Sequence, residues 1–377
     1  MTREDASTMT STTTYVPYDP ALERPKPDED AYIDKIVASL RGNNERAYRK
    51  TKRGLRDAHA KSHGILRGKL EVRDDLDDEL AQGLFARRGE SFDIITRLSS
   101  TSGAIRSDQM RGVRGLGIKV LGVEGERALP DDTATTQDFI MVTHRDFLFA
   151  DAEAYYKRGM PTAWALARLS DPALKVGSEL LAGVDGRILR PLGRPLPESL
   201  AVFVRPNTHI LGDTFYSSAP LRFGDYVARM ACVPSSPEVR ALAGMPVPAG
   251  TGVNAFQDMV VDFFSCHGAE YELRVQLCAS TDRRWIEDAT FDWPEEVSPH
   301  RTVATIRFDE QDPYTPERRA YGDDVLSFNS WRCLDAHRPL GSINRLKRKV
   351  YDASSRFRHQ VNNAPMCEPS DTDDLPE

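Results

Sequence analysis

At 377 residues the chain is long enough for one large domain or two ordinary ones, and 40% hydrophobic with 28% charged residues is a globular composition. A formal net charge of −7 argues against nucleic acid as a partner, because phosphate binding needs a net basic face. The five cysteines (Cys232, Cys266, Cys278, Cys333 and Cys367) are odd in number and form no Cys-x-x-Cys pair, which fits reduced thiols better than a disulfide framework and argues against a paired-ligand zinc site.

Residues 1–29, rich in Thr, Ser, Asp, Glu and Pro, read as a flexible arm without the apolar stretch of a signal peptide. No apolar run approaches the roughly 20 residues that span a bilayer, so stable membrane insertion is not expected and the expected location is cytoplasmic. Asp28 to Leu40 places Ile33, Ile36, Val37 and Leu40 at helical spacing and predicts a short amphipathic helix. Asn44 to Lys61 is strongly basic and reads mainly as a solvated helix face. Asp75 to Ala86 reads as a helix, with Leu80 and Leu84 on one side. Strands are predicted over Leu66–Val72, Phe92–Ser99, Leu116–Val123, Phe139–Thr143, Leu200–Arg205, Asp225–Val233, Tyr271–Ser280 and Val303–Phe308. Ala152 to Leu169 reads as a helix, and so does the basic run from Gly341 to His359. Residues 363–377 read as an acidic disordered tail. Strands and helices do not separate into blocks, so residues 30–362 read as one α+β domain built on an antiparallel sheet or barrel.

The string Arg114-Gly-Leu-Gly-Ile-Lys119 invites a nucleotide reading, but it is neither a Gly-x-Gly-x-x-Gly nor a Walker loop, and no βαβ alternation surrounds it. Glycines entering a strand point instead to close backbone packing. Four blocks stand out in order: Arg56-x-x-His59-Ala-Lys, Arg97-Leu-Ser99, Asp108 to Lys119, and Tyr351-x-x-x-x-Arg356-x-Arg358. Together they resemble the haem catalase superfamily, and in particular its short catalase-like branch, which is related to the allene oxide synthase domain. The resemblance covers roughly Asp57 to Asn362.

The resemblance implies a catalase-like antiparallel β-barrel with surrounding helices, and haem b between the barrel and the C-terminal tyrosine helix. His59 is then the distal acid–base group, with Ser99 fixing its far nitrogen. An imidazole with a pKa near neutrality suits the proton transfer that peroxide O–O cleavage needs. His63 is a rival four residues on, but it lacks the flanking Arg and Ala-Lys and reads as a packing or exposed histidine. Gln137 takes the place of the family's distal Asn, and Phe147 or Phe149 supplies the aromatic near the haem face. Tyr351 becomes the proximal iron ligand, bound as phenolate. Lys347, one helical turn earlier, stands where the family usually places Arg, and a lysine supplies charge without the fork. Arg56, Arg97 and Arg358 match the arginines that pair with haem propionates.

The implied function is a haem-dependent oxidoreductase acting on peroxides, by hydrogen peroxide dismutation or peroxidase turnover. The alternative substrate is an organic or fatty-acid hydroperoxide, converted as in allene oxide synthase. A non-catalytic haem-binding protein is the remaining class, and the retained His59–Ser99 pair speaks against it. The implied partner is therefore a small peroxide or hydroperoxide, and a homo-oligomer is compatible with the resemblance.

Overall fold

The computed structural model describes residues 14–248 and 250–377, so residues 1–13 of the arm assigned to residues 1–29 lie outside the described residues. Part of it is anchored: Val16 is buried, and its amide donates to the Cys278 carbonyl at 2.8 Å.

Nine strands form one antiparallel sheet: β1 (Lys61–Val72), β2 (Ser91–Ser100), β3 (Arg114–Leu121), β4 (Thr136–Val142), β5 (Phe215–Tyr216), β6 (Leu221–Phe223), β7 (Tyr226–Pro234), β8 (Ala269–Leu277) and β9 (Arg301–Phe308). They run in the order β5-β4-β3-β2-β1-β9-β8-β7-β6. The short β5 pairs with β4 through Val142–Tyr216 and with β7 through Phe215–Cys232. This closes eight strands into a barrel and leaves β6 as a hairpin partner of β7. Closure removes the sheet edges, whose unpaired backbone groups would otherwise seek another chain.

The barrel interior is a packed core. On β2, Ile94 and Leu98 point inward; on β3, Leu116, Ile118 and Val120; on β8, Tyr271, Leu273, Val275 and Leu277. The intervening residues face outward, and on β2 and β3 these include Arg97, Ser99, Gly115 and Gly117. Two long helices cover that outer face, Glu29–Thr51 and Ser342–Asn362. They meet around Ile33, Ile36, Leu40, Ile343 and Leu346.

Several local expectations are corrected. The first helix runs to Thr51 instead of Leu40, because Gly42 is tolerated inside it and it ends only at Lys52 in the left-handed region. Asp75–Ala86 is not a helix but turns with one 3-10 turn, Gly83–Ala86. Its Leu76, Leu80, Leu84 and Phe85 are buried against the barrel, and Gly83 at φ +54° lets the Leu84 amide reach His337 Nε2 at 2.9 Å. Tertiary burial here overrides a helical period. Leu200–Arg205 is not a strand, since a short helix, Glu198–Ala201, follows Pro197 and turns complete the segment. The helices Asp171–Val184 and Ala255–Phe264 and the short β5 and β6 were not anticipated.

The acidic end, expected to be disordered, lies on the barrel. Glu368 pairs with the buried Lys119 at 2.5 Å and with Arg332 at 2.9 Å. Leu375 is fully buried beside Ile65, Ile95, Leu121 and Leu326. Charge content alone pointed to solvation, but the buried Lys119 and the half-buried Arg332 share one buried carboxylate, Asp138, at 2.6 and 3.2 Å, and Glu368 supplies the second negative charge for the pair. Leu375→Ala should therefore cost about 2–4 kcal/mol of stability, read as a lower urea midpoint; an unchanged midpoint would mean that the tail does not pack.

Candidate active site

Between the outer face of β2–β4 and the C-terminal helix lies a cavity of about 620 Å³, within the range of small-molecule sites. Its barrel wall is made by strand register. Ser99 pairs with Gly115 and Arg97 with Gly117 across β2 and β3, so each functional side chain stands opposite a residue with none. The cleared space is used at once: a Cβ on Gly115 would fall 2.4 Å from His59 Nδ1, and one on Gly117 would fall 2.9 Å from the Phe328 ring.

His59 sits at φ +56°, a strained conformation for a side-chain-bearing residue. Arg97 holds it there, donating to the His59 carbonyl at 2.9 Å and to the Ala60 carbonyl at 3.3 Å. The His59 Nδ1 lies 3.0 Å from Ser99 Oγ, which is 3.3 Å from the Gly115 carbonyl. A hydroxyl has one proton. With that proton given to Gly115, Nδ1–H of His59 donates to Ser99, and Nε2 is left as a bare acceptor. Burial, reinforced by Arg97, Lys347 and Arg56, lowers the imidazole to about 3, so it is neutral across the physiological range.

Arg56, Arg97 and Arg358 converge on one loop. Arg56 donates to the carbonyls of Gly322 (2.7 Å), Asp323 (3.3 Å) and Leu326 (2.6 Å). Arg358 donates to Asp323 (2.7 Å), Asp324 (2.5 Å) and Leu326 (3.2 Å). The carboxylate nearest the three is Asp323, 3.5 Å from Arg97 and 3.9 Å from Arg56, while Asp324 pairs with Arg53 at 2.9 Å. Positive charge is thus in excess. Burial and the neighbouring arginines lower Arg56 well below its ordinary range, and Arg358 falls to about 10 for the same reasons. The buried Nε of Arg97 has no partner among the described residues. A buried cation cluster of this kind suits an anionic ligand.

The helix wall carries Lys347, Tyr351, Ser354 and Arg358, with Phe147 and Phe149 beside it. Burial, then the nearby Tyr155, pushes the Tyr351 phenol up. Lys347 lies 5.6 Å from the Phe147 ring centre, and burial lowers its ammonium to about 8. Its charge acts on His59 and helps keep that imidazole neutral.

His59, Ser99, Arg56, Arg97, Phe147, Phe149, Lys347, Tyr351 and Arg358 therefore line one cavity. Gln137 does not, and its assignment as the distal amide is corrected. Period-2 alternation sets Gln137 on the face of β4 that carries Phe139 and Met141 into the barrel core, whereas Ile140 and Val142 face the cavity. Its Oε1 accepts from the Leu334 amide at 2.9 Å, a structural bond. The carboxamides lining the cavity are Asn43 and Asn44, both on the first helix. His63 is fully buried away from the cavity, with Nε2 2.6 Å from Ser100 Oγ and its ring edge-on to Phe256.

Sequence reasoning missed Phe328, Tyr155 and Asp57 as lining groups. Asp57 stood inside a quoted motif without a role. Its carboxylate bonds to Asn44 and Ser354, yet Oδ1 is buried without a partner, and burial raises it to about 6. A carboxyl two residues before a histidine of interest was the available signal.

No protein-family model matches the sequence, and no curated protein matches it. The solved structures it resembles include a fungal catalase (14% identity, TM-score 0.55), a bacterial catalase (13%, 0.57) and catalase A from Saccharomyces cerevisiae (15%, 0.55). These matches cover 93%, 96% and 93% of this chain and 66%, 67% and 70% of those chains, so the chain spans about two thirds of their length. The chain has the catalase fold, an eight-stranded antiparallel barrel with surrounding helices.

Two substitutions test the site's construction. Gly115→Ala should displace the imidazole and cost about 1–3 kcal/mol, visible as a lower unfolding midpoint and a crystallographic shift of His59. Asp57→Asn should stabilise the protein. The folded carboxyl binds its proton more tightly than the unfolded one, so ionisation above about pH 6 opposes folding and the penalty vanishes below pH 4. The gain, about 1–3 kcal/mol at pH 7.5, should shrink at pH 4.5; equal gains at both would refute the assignment.

Proposed function

We propose that this protein is a haem-dependent enzyme acting on peroxides. The supporting observation is that His59, held by Ser99 and bare at Nε2, shares a cavity with Tyr351 and with buried cations in excess. The donors fit haem b: a phenol for the iron and three arginines for the propionate carboxylates. Tyr351 would hold the iron, Arg56, Arg97 and Arg358 the propionates, and Phe147 and Phe149 would pack on the ring. Bound haem supplies a redox-active iron that exchanges two electrons with a peroxide.

The chain's own contribution is proton handling. Nε2 of His59 would take the proton from one peroxide oxygen and give it to the other, which leaves as water or alcohol, while a bound haem would supply the electron pair for O–O cleavage. Ser99 keeps the ring in the tautomer this requires, and Arg97 keeps its backbone in place. A protein that only carries haem has no use for this pair.

A second substrate class has specific support. The cavity side of β4 presents Ile140 and Val142 where the resemblance led to an amide, and the cavity extends toward Ala163, Leu166 and Leu169. An apolar extension suits an organic or fatty-acid hydroperoxide, the allene oxide synthase type of substrate.

Haem-loaded protein should show a Soret band with a high-spin ferric pattern. Tyr351→Phe should lose haem or shift that spectrum. His59→Ala should keep the band and lose turnover by about 10²–10⁴-fold, whereas His63→Ala should change little. Initial rates on hydrogen peroxide and on a fatty-acid hydroperoxide separate the two substrate classes, and no haem uptake would overturn the reading.

A further inference from the structure

Residues 157–205 stand apart from the rest of the surface. The helix Asp171–Val184 has no buried residue. Among the described residues, eight of the thirteen exposed large hydrophobic side chains fall between Trp164 and Leu200. Val176, Leu180 and Val184 are 55%, 68% and 43% exposed and, four residues apart, form one stripe along the helix. Ile188 and Leu192 continue it, at 51% and 68% exposed. Scattered apolar side chains on a surface are ordinary, but a concentrated stripe marks a contact.

The charge of the segment tells which contact. Within a chain of net charge −7, residues 157–205 hold eight Lys and Arg against four Asp and Glu. Three of the four acids are already engaged: Asp171 with Arg106 at 2.7 Å, Asp185 with Arg190 at 2.7 Å, and Glu198 with Arg205 at 2.6 Å. Lys175, Arg187 and Arg194 are exposed and make no ion pair among the described residues. An apolar stripe flanked by unpaired cations fits a surface with an apolar interior and anionic groups at its boundary. A second copy of the chain fits it poorly, because a two-fold contact would set this cationic patch against itself.

The segment also borders the cavity. Ile105 and Leu169 line it while being 56% and 43% exposed, and so mark its mouth. Arg46 and Lys50 line the same mouth and are exposed. We propose that residues 157–205 form a peripheral docking surface for an anionic lipid bilayer, seated so that the cavity mouth faces the lipid. The chain lies on the bilayer and does not cross it; among the described residues no helix is long and apolar enough to do so. The proposal is independent of what the cavity binds.

The test is sedimentation of the full chain with vesicles of phosphatidylcholine containing about one third phosphatidylglycerol, against phosphatidylcholine alone. Binding should require the anionic lipid and weaken with added salt. Leu180→Asp should lower the bound fraction on the order of tenfold or more. It should leave the thermal melt unchanged, because Leu180 is exposed. The combined Lys175→Glu, Arg187→Glu and Arg194→Glu variant should also lose binding. Tryptophan emission should shift to the blue on binding, and Trp164→Phe should remove most of that shift. Absence of binding to anionic vesicles would overturn the proposal, as would binding that Leu180→Asp leaves intact. Light scattering that shows a dimer dispersed by Leu180→Asp would also overturn it, placing a second copy on this face.

Discussion

Three buried guanidinium groups hold the two walls of the cavity together. Arg56 comes from the segment before the barrel, Arg97 from β2 and Arg358 from the C-terminal helix, and the first and last are about 300 residues apart in sequence. Arg56 and Arg358 share the carbonyls of Asp323 and Leu326, and Arg97 reaches the Asp323 carboxylate. Burying cations is costly unless donors are satisfied and charge is balanced. The carbonyls satisfy most of the donors, but one nearby carboxylate does not balance three cations. The excess is what makes this region receptive to an anion, and a haem with two propionates would restore the balance.

The same loop connects stability to chemistry. Arg97 is at once a member of the cluster and the donor that holds the His59 backbone at positive φ. Strain at His59 is thus maintained by a residue that also belongs to the buried cation cluster. Gly115 completes the arrangement, since no other residue leaves room for the imidazole between Ser99 and the strand. The departures matter as much. Lys347 raises the positive field at His59, and the cavity side of β4 offers apolar side chains, Ile140 and Val142.

Much of the site was legible because its residues cluster in short motifs. His59, Ser99, Tyr351 and the three arginines could be named from four blocks, and the glycines of β3 from their place at a strand. Gln137 was misread because the face of a strand depends on register: a shift of one position exchanges core for cavity. The helix proposed for Asp75–Ala86 failed because its leucines have a helical period but are buried by turns against the barrel. The tail was misread because acidic composition suggests solvation, while Glu368 joins Asp138 in balancing Lys119 and Arg332, cations that only the packed barrel brings together.

The order of motifs, the alternation along the long strands and the basic C-terminal helix were all decided by local sequence. They are properties of neighbours in the chain: a period of two, a helical repeat, an arginine three residues before a histidine. Closure of the barrel through the two-residue β5, the gathering of Arg56, Arg97 and Arg358 on one loop, and the separation of His59 from His63 were decided only by the tertiary structure. Each depends on where the backbone passes in space, and with it on which polar groups lose water and must find partners far along the chain.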